Sequence, residues 1–132
     1  MIFLDSSVII SYKIKDDVNH AKAVKIIKKI MEYDRIVVSE YVFAEVVTVL
    51  SMKESLKAAV DVGERLKNAK EVEILKLEKL FEETWEIFRE KGKYLSFVDC
   101  SSIAIMKNMG IKKIATFDKD FKQIKNIVVI DE

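Results

Sequence analysis

Five short apolar runs, with stretches of helical periodicity between them, constrain this chain more than any other feature. The runs lie at 1–4, 35–38, 72–75, 113–116 and 127–130. Each is short and rich in Ile, Val, Leu or Phe, so each reads as a buried strand. Ala23, Val24, Ile27, Ile30 and Met31 form an apolar stripe at helical spacing, with Lys22, Lys25, Lys28 and Lys29 mostly off it. Leu77, Leu80, Phe81, Thr84, Trp85 and Phe88 form a second stripe. Further helices are expected near 40–52, 53–69 and 96–109, the last stopped by Gly110. Strands alternating with helices imply an α/β fold whose parallel sheet is covered on both faces. In such sheets ligands sit beyond the carboxyl ends of the strands. Asp5 directly follows the first run, and Asp118 follows the fourth within two residues.

At 132 residues the chain is expected to form one domain, 1–132, burying about two thirds of its unfolded surface. Half of it is hydrophobic, which supports a core and excludes general disorder. Lys and Arg number 23 against 22 Asp and Glu, so there is no overall basic coat. The one cysteine, Cys100, cannot form an internal disulfide and reads as a reduced intracellular thiol, which points to a cytoplasmic protein. The apolar start, 1–11, carries Asp5 and no basic leader, so it does not read as a signal peptide. No run is long enough to span a membrane. One histidine excludes a three-His zinc site, and three glycines argue against a phosphate-cradling loop.

Charge is unevenly spread. Charged residues make up 34% of the chain, yet 1–12, 41–52 and 94–106 contain one each: Asp5, Glu45 and Asp99. Even mixing would put about a dozen charges in those 37 residues. A buried, unpaired carboxylate is costly, and no cation lies beside any of the three in sequence. Either each acid has its own local partner, or the acids converge on a metal ion. Oxygen-only ligands favour Mg²⁺ or Mn²⁺ over zinc. Carboxylates around such ions suit phosphodiester cleavage.

Each acid also has a local reading. Asp5 and Asp99 fit helix N-caps, and Ser96-x-x-Asp99 fits a capping box. Asp118 fits a turn. Glu45, in mid-helix apolar surroundings, has no such role. Taken together, with two acids at strand ends, a shared site is the favoured reading.

The motifs also resemble a known family. Ile-Phe-Leu-Asp5-Ser6-Ser7, Ser-Glu40-Tyr-Val-Phe-Ala-Glu45, Leu-Ser96-Phe-Val-Asp99 and Thr116-Phe-Asp118-Lys-Asp120-Phe121 are similar, in order and spacing, to the motifs of PIN-domain ribonucleases. The chain looks like the small single-domain kind found as the VapC toxin of VapBC toxin–antitoxin pairs. The resemblance implies a three-layer α/β/α sandwich around a five-stranded parallel sheet. It implies Mg²⁺- or Mn²⁺-dependent RNA cleavage by a metal-activated water, leaving 5′-phosphate and 3′-hydroxyl ends. Asp5, Glu45, Asp99 and Asp118 would be the catalytic and metal-binding acids, with Asp5 and Asp99 as direct ligands. Ser6 and Thr116 would orient carboxylates, with Ser96 and Asp120 in support. His20 would be a surface or helix-start residue, and Cys100 a packing residue.

RNA also needs cations. Lys13, Lys15, Arg89, Lys91, Lys93, Lys119 and Lys122 are candidates, though a solvated surface explains any one of them. Tyr12 is a candidate base-stacking residue, as is Phe121, which fits the core better. The family implies a homodimer, for which 41–62 offers apolar surface. It also implies an antitoxin that presents an arginine to the acids.

Other readings remain open at this level. A phospho-aspartyl phosphatase would want an acid where Ser7 stands, and a response-regulator receiver would want an acidic pair by the first strand. A non-catalytic interaction module and an RNA-processing or quality-control factor share the same motifs.

Overall fold

The computed structural model describes residues 1–33 and 35–132. Among these, five strands and six helices follow the expected alternation. The strands are β1 (Ile2–Leu4), β2 (Ile36–Ser39), β3 (Val72–Leu75), β4 (Lys113–Ala115) and β5 (Val128–Ile130). The helices are α1 (Ser6–Lys13), α2 (His20–Ile30), α3 (Glu40–Lys53), α4 (Leu56–Asn68), α5 (Phe81–Lys91) and α6 (Phe97–Met109). The strands form one parallel sheet in the order β3-β2-β1-β4-β5.

This order fixes where a site belongs. The chain builds outward from β1 to β2 and β3, then returns to place β4 on the other side of β1. The crossovers therefore leave β1 in both directions, and right-handed crossovers then cover both faces. The crevice beyond the carboxyl ends of β1 and β4 lies where the direction reverses. Phe3 pairs with Ile114 and Leu4 with Ala115, and the Asp5 N–H donates to the Ala115 carbonyl at 3.0 Å. The acids that end these two strands are thereby brought to one edge.

The central apolar runs are the core, whereas the edge strands β3 and β5, expected to be buried, are only partly so because each has a neighbour on one side alone. Every residue of β1 and β2 is buried, and so is each residue of α6 from Cys100 to Met106. A helix buried on every side explains why 94–106 shows no charged face. Its two hydroxyls, on Ser101 and Ser102, are satisfied by the Val98 carbonyl at 2.6 and 3.2 Å. Gly110 ends α6 at φ 70°, the left-handed conformation that a Cβ disfavours. Gly110→Ala is expected to cost about 1 kcal/mol by thermal melting, from backbone strain alone, since nothing lies within 4 Å of the added Cβ.

Three helical readings need correction. In α2, Val24 and Met31 are exposed, and Ile26 is buried with Ala23 and Ile30. In α5, Phe81 and Trp85 are half-exposed, and Thr84 and Ile87 face inward. The helix expected at 53–69 begins only at Leu56, because Ser55 caps it by accepting from the Ala58 N–H at 3.0 Å.

Candidate functional site

Asp5 leaves β1 with only 3% of its surface exposed. It occupies the N-cap position of α1, but its side chain makes no capping bond there. Instead Oδ2 accepts from the Thr116 hydroxyl at 2.7 Å and the Ser7 hydroxyl at 2.9 Å. The Phe117 N–H donates to Ser7 Oγ, and the Asp118 N–H to Thr116 Oγ1, both at 3.0 Å. Two hydroxyls thus tie the end of β1 to the backbone leaving β4. Ser7 was not singled out from sequence as a site residue. Its signal was present all the same, since it lies two residues after the strand-end acid, in the first helical turn.

Ser6, the neighbouring hydroxyl, serves a different acid: it donates to Glu45 Oε1. Glu45 reaches this edge because Ser39 caps α3 at the end of β2, accepting from the Val42 N–H at 3.0 Å. Asp99 lies in the first turn of α6. Ser96 and Asp99 form the expected capping box, with both bonds at 3.0 Å. Asp118 caps the 3₁₀ turn Lys119–Gln123, where its Oδ1 accepts from the Asp120 N–H at 2.9 Å.

The capping-box reading of Asp99 and the turn reading of Asp118 are therefore real, although the N-cap of α6 is Ser96 and not Asp99. In all four acids one oxygen holds a hydrogen bond, short-range for Asp99 and Asp118 and between distant elements for Asp5 and Glu45: Asp5 Oδ2, Glu45 Oε1, Asp99 Oδ2 and Asp118 Oδ1. Among the described residues, none of the four acids makes an ion pair. No fully buried side-chain polar atom is left unsatisfied there either.

The acids also feel one another. Burial pushes the Asp5 carboxyl above its ordinary value; the Thr116 and Ser7 hydroxyls oppose this, and the charge of Glu45 adds to the rise. Burial likewise pushes Asp99 up, with further contributions from the charges of Asp5 and Asp118. No three His, Cys, Asp or Glu side chains among the described residues close on one point tightly enough to hold an ion. In donor type the residues do fit a hard divalent cation: they offer oxygen only, and carry negative charge.

The remaining candidates separate by burial and pairing. Phe121 is fully buried, so it is a core residue and not a base-stacking one. Tyr12 is half-buried. His20 begins α2, with its Nδ1 2.9 Å from the Ser11 carbonyl. Cys100 is buried, and burial with the nearby Asp99 charge pushes its thiol up, away from the reactive thiolate. Lys13, Arg89, Lys91 and Lys122 pair with Asp61, Glu86, Glu90 and Asp131. Lys15 and Lys119 make no ion pair among the described residues. No helix there is long and apolar enough to cross a membrane.

Comparison with known proteins is consistent with this geometry. The chain is similar to VapC20 of Mycobacterium tuberculosis, a toxin that cleaves the sarcin–ricin loop, with a TM-score of 0.85 and 26% identity over 100% of both chains. It shares its fold with VapBC2 of Rickettsia felis, solved on a promoter DNA fragment, at a TM-score of 0.69, 16% identity and 98% of each chain. It also shares its fold with FitAcB of Neisseria gonorrhoeae, at 0.68 and 18%, over 98% of this chain and 96% of that one. No curated protein sequence matches the chain. The sequence pattern of the PIN domain matches residues 2–127, which leaves no place for the phosphatase and receiver readings. The chain belongs to the PIN domain family.

Proposed function

We propose that this protein, acting as a single domain over 1–132, is a metal-dependent ribonuclease that hydrolyses RNA phosphodiester bonds, as the toxin of a VapBC-type pair. The carrying observation is the set of four acids at the switch point of the sheet, each held by a hydrogen bond and none paired with a cation among the described residues. The likeness to the VapC20 toxin over its whole length supports the choice of RNA.

Asp5 and Asp99 would hold a Mg²⁺ or Mn²⁺ ion directly, and Glu45 and Asp118 would complete the pocket. When bound, such an ion acidifies water and offsets the charge of the scissile phosphate. The chain's own residues supply orientation. Thr116 and Ser7 hold one oxygen of Asp5 and so fix the plane of its carboxylate. Ser6 does the same for Glu45, and the Ser96 backbone for Asp99. Asp120 stands behind Asp118 through its backbone N–H. The pocket is anionic, so a cation must be in place before a phosphate can approach.

An antitoxin partner, in keeping with the VapBC2 and FitAcB complexes, would present an arginine to the acids. Self-association would use the α3–α4 face, where Met52, Leu56 and Val60 are exposed, and the cytoplasm would be the site of action. The test that does not depend on an RNA target is thermal melting with Mn²⁺ or Mg²⁺. The ion is expected to stabilise wild type by about 2.7 kcal/mol at a concentration 100 times its dissociation constant, and to leave Asp5→Asn unchanged. An equal shift in both proteins would place the ion elsewhere.

A further inference from the structure

Ser7 stands in the first turn of α1, half-buried, two residues past Asp5. Its hydroxyl donates to Asp5 Oδ2 at 2.9 Å and accepts from the Phe117 N–H at 3.0 Å. Thr116 makes the matching pair of bonds from the other strand. It donates to Asp5 Oδ2 at 2.7 Å and accepts from the Asp118 N–H at 3.0 Å. A backbone N–H only donates and a carboxylate only accepts, so the direction of all four bonds is fixed. Each hydroxyl has one proton, and both protons are committed to Asp5. The 3.3 Å approach of Ser7 Oγ to Thr116 Oγ1 is therefore a contact and not a fifth bond.

The two hydroxyls do different work. Thr116 belongs to the chain that leads to Asp118, and its bond holds Asp5 against that chain. Ser7 belongs to the chain that leaves Asp5, and it reaches back to the last amide before Asp118. Losing the Ser7 hydroxyl therefore frees two groups at once. Asp5 loses one of the two hydroxyls that fix its carboxylate plane, and the Phe117 N–H loses its acceptor. Ser6 shares neither bond, since its hydroxyl goes to Glu45. Adjacent serines thus have separable effects, one on Glu45 and one on the pair Asp5 and Asp118.

We propose that Ser7 is a positioning residue of the metal site, whose one hydroxyl couples the carboxylate of Asp5 to the backbone entering Asp118 and thereby sets the affinity for the divalent ion. This rests on the ribonuclease reading above, in which Asp5 holds the ion and Asp118 completes the pocket. It adds a residue outside the four acids, and it separates Ser7 from Ser6. Groups that orient ion-holding side chains carry about 10–100-fold of the affinity, although they never touch the ion.

The test has two readouts on the full chain. The first needs no metal: amide hydrogen exchange by NMR in EDTA. Ser7→Ala is expected to speed exchange at Phe117 by at least about tenfold, and Ser6→Ala to leave it at the wild-type rate. The second is Mn²⁺ affinity by calorimetry. Ser7→Ala is expected to weaken binding by about tenfold or more, and Ser7→Thr, which keeps the hydroxyl, to bind within about threefold of wild type. Melting curves check that each variant is folded. Ser7→Cys, of nearly the same shape but a weak donor and acceptor, carries the test if Ser7→Ala is not. A serine that only supports the fold would lower the melting temperature and leave the Mn²⁺ affinity of the folded protein unchanged. That result, an unchanged exchange rate at Phe117, or a folded Ser7→Thr as weak as Ser7→Ala overturns the proposal. If wild type binds Mn²⁺ and Asp5→Asn does not, the failure concerns Ser7 alone. If wild type binds no Mn²⁺, the metal-dependent reading falls and the role of Ser7 falls with it.

Discussion

Asp5→Asn is expected to lower RNA cleavage by about a thousandfold while raising the melting temperature of the metal-free protein. The first effect follows from removing one anionic oxygen from the set of four, in a site where charge does most of the catalytic work. The second follows from burial. The carboxylate is 3% exposed, and burial and the charge of Glu45 both press it toward its protonated form. Asparagine is nearly the same shape and keeps an oxygen for the Thr116 and Ser7 hydroxyls. The charge is therefore lost without opening a cavity.

The pH dependence has a definite sign. An acid whose folded pKa lies above 3.8 binds more protons folded than unfolded, between those two values. Its destabilising effect is fully present above the folded pKa and fades as pH falls toward 3.8. The stability gap between Asp5→Asn and wild type should therefore narrow on acidification, when both are melted across the same pH series without metal. Taking the difference removes the opposite trend from Asp61 and Asp131, whose carboxyls are held low by Lys13 and Lys122. A variant less stable than wild type at neutral pH would mean that the carboxylate is paired with a cation.

Phe121→Ala should be the most damaging single change to the fold. The ring is completely buried, three residues after Asp118 in the 3₁₀ turn. Large-to-small changes of this kind cost about 3–5 kcal/mol, or roughly 10 °C or more in melting temperature for a domain of this size. Phe121→Leu refills most of the space and should recover the greater part of that loss. A Phe121→Ala protein that melts like wild type but loses RNA binding would return this ring to a base-stacking role.

Much of this was legible in the sequence, and the reason is physical. A buried parallel strand must be apolar on both faces, so the runs at 1–4 and 35–38 mark β1 and β2 to within a residue at each end, and the half-buried edge run at 72–75 marks β3 to the residue. A lone carboxylate in such surroundings is expensive, which drew attention to Asp5, Glu45 and Asp99. Helix faces were less legible. Ala23, Val24, Ile27, Ile30 and Met31 fit helical spacing, but so does the face through Ile26, and only packing against the sheet decides between them. The division of labour between Ser6 and Ser7 was also hidden. Adjacent hydroxyls look alike in sequence, and only the path of α1 sends one to Glu45 and the other to Asp5.

The most direct measurement is cleavage of a structured RNA by the purified protein, with Mn²⁺, with Mg²⁺ and with EDTA, each beside Asp99→Asn. The account predicts cleavage by wild type with an ion present, none in EDTA, and about a thousandfold loss in the variant. Cleavage that persists in EDTA, or that Asp99→Asn leaves at the wild-type rate, would contradict it.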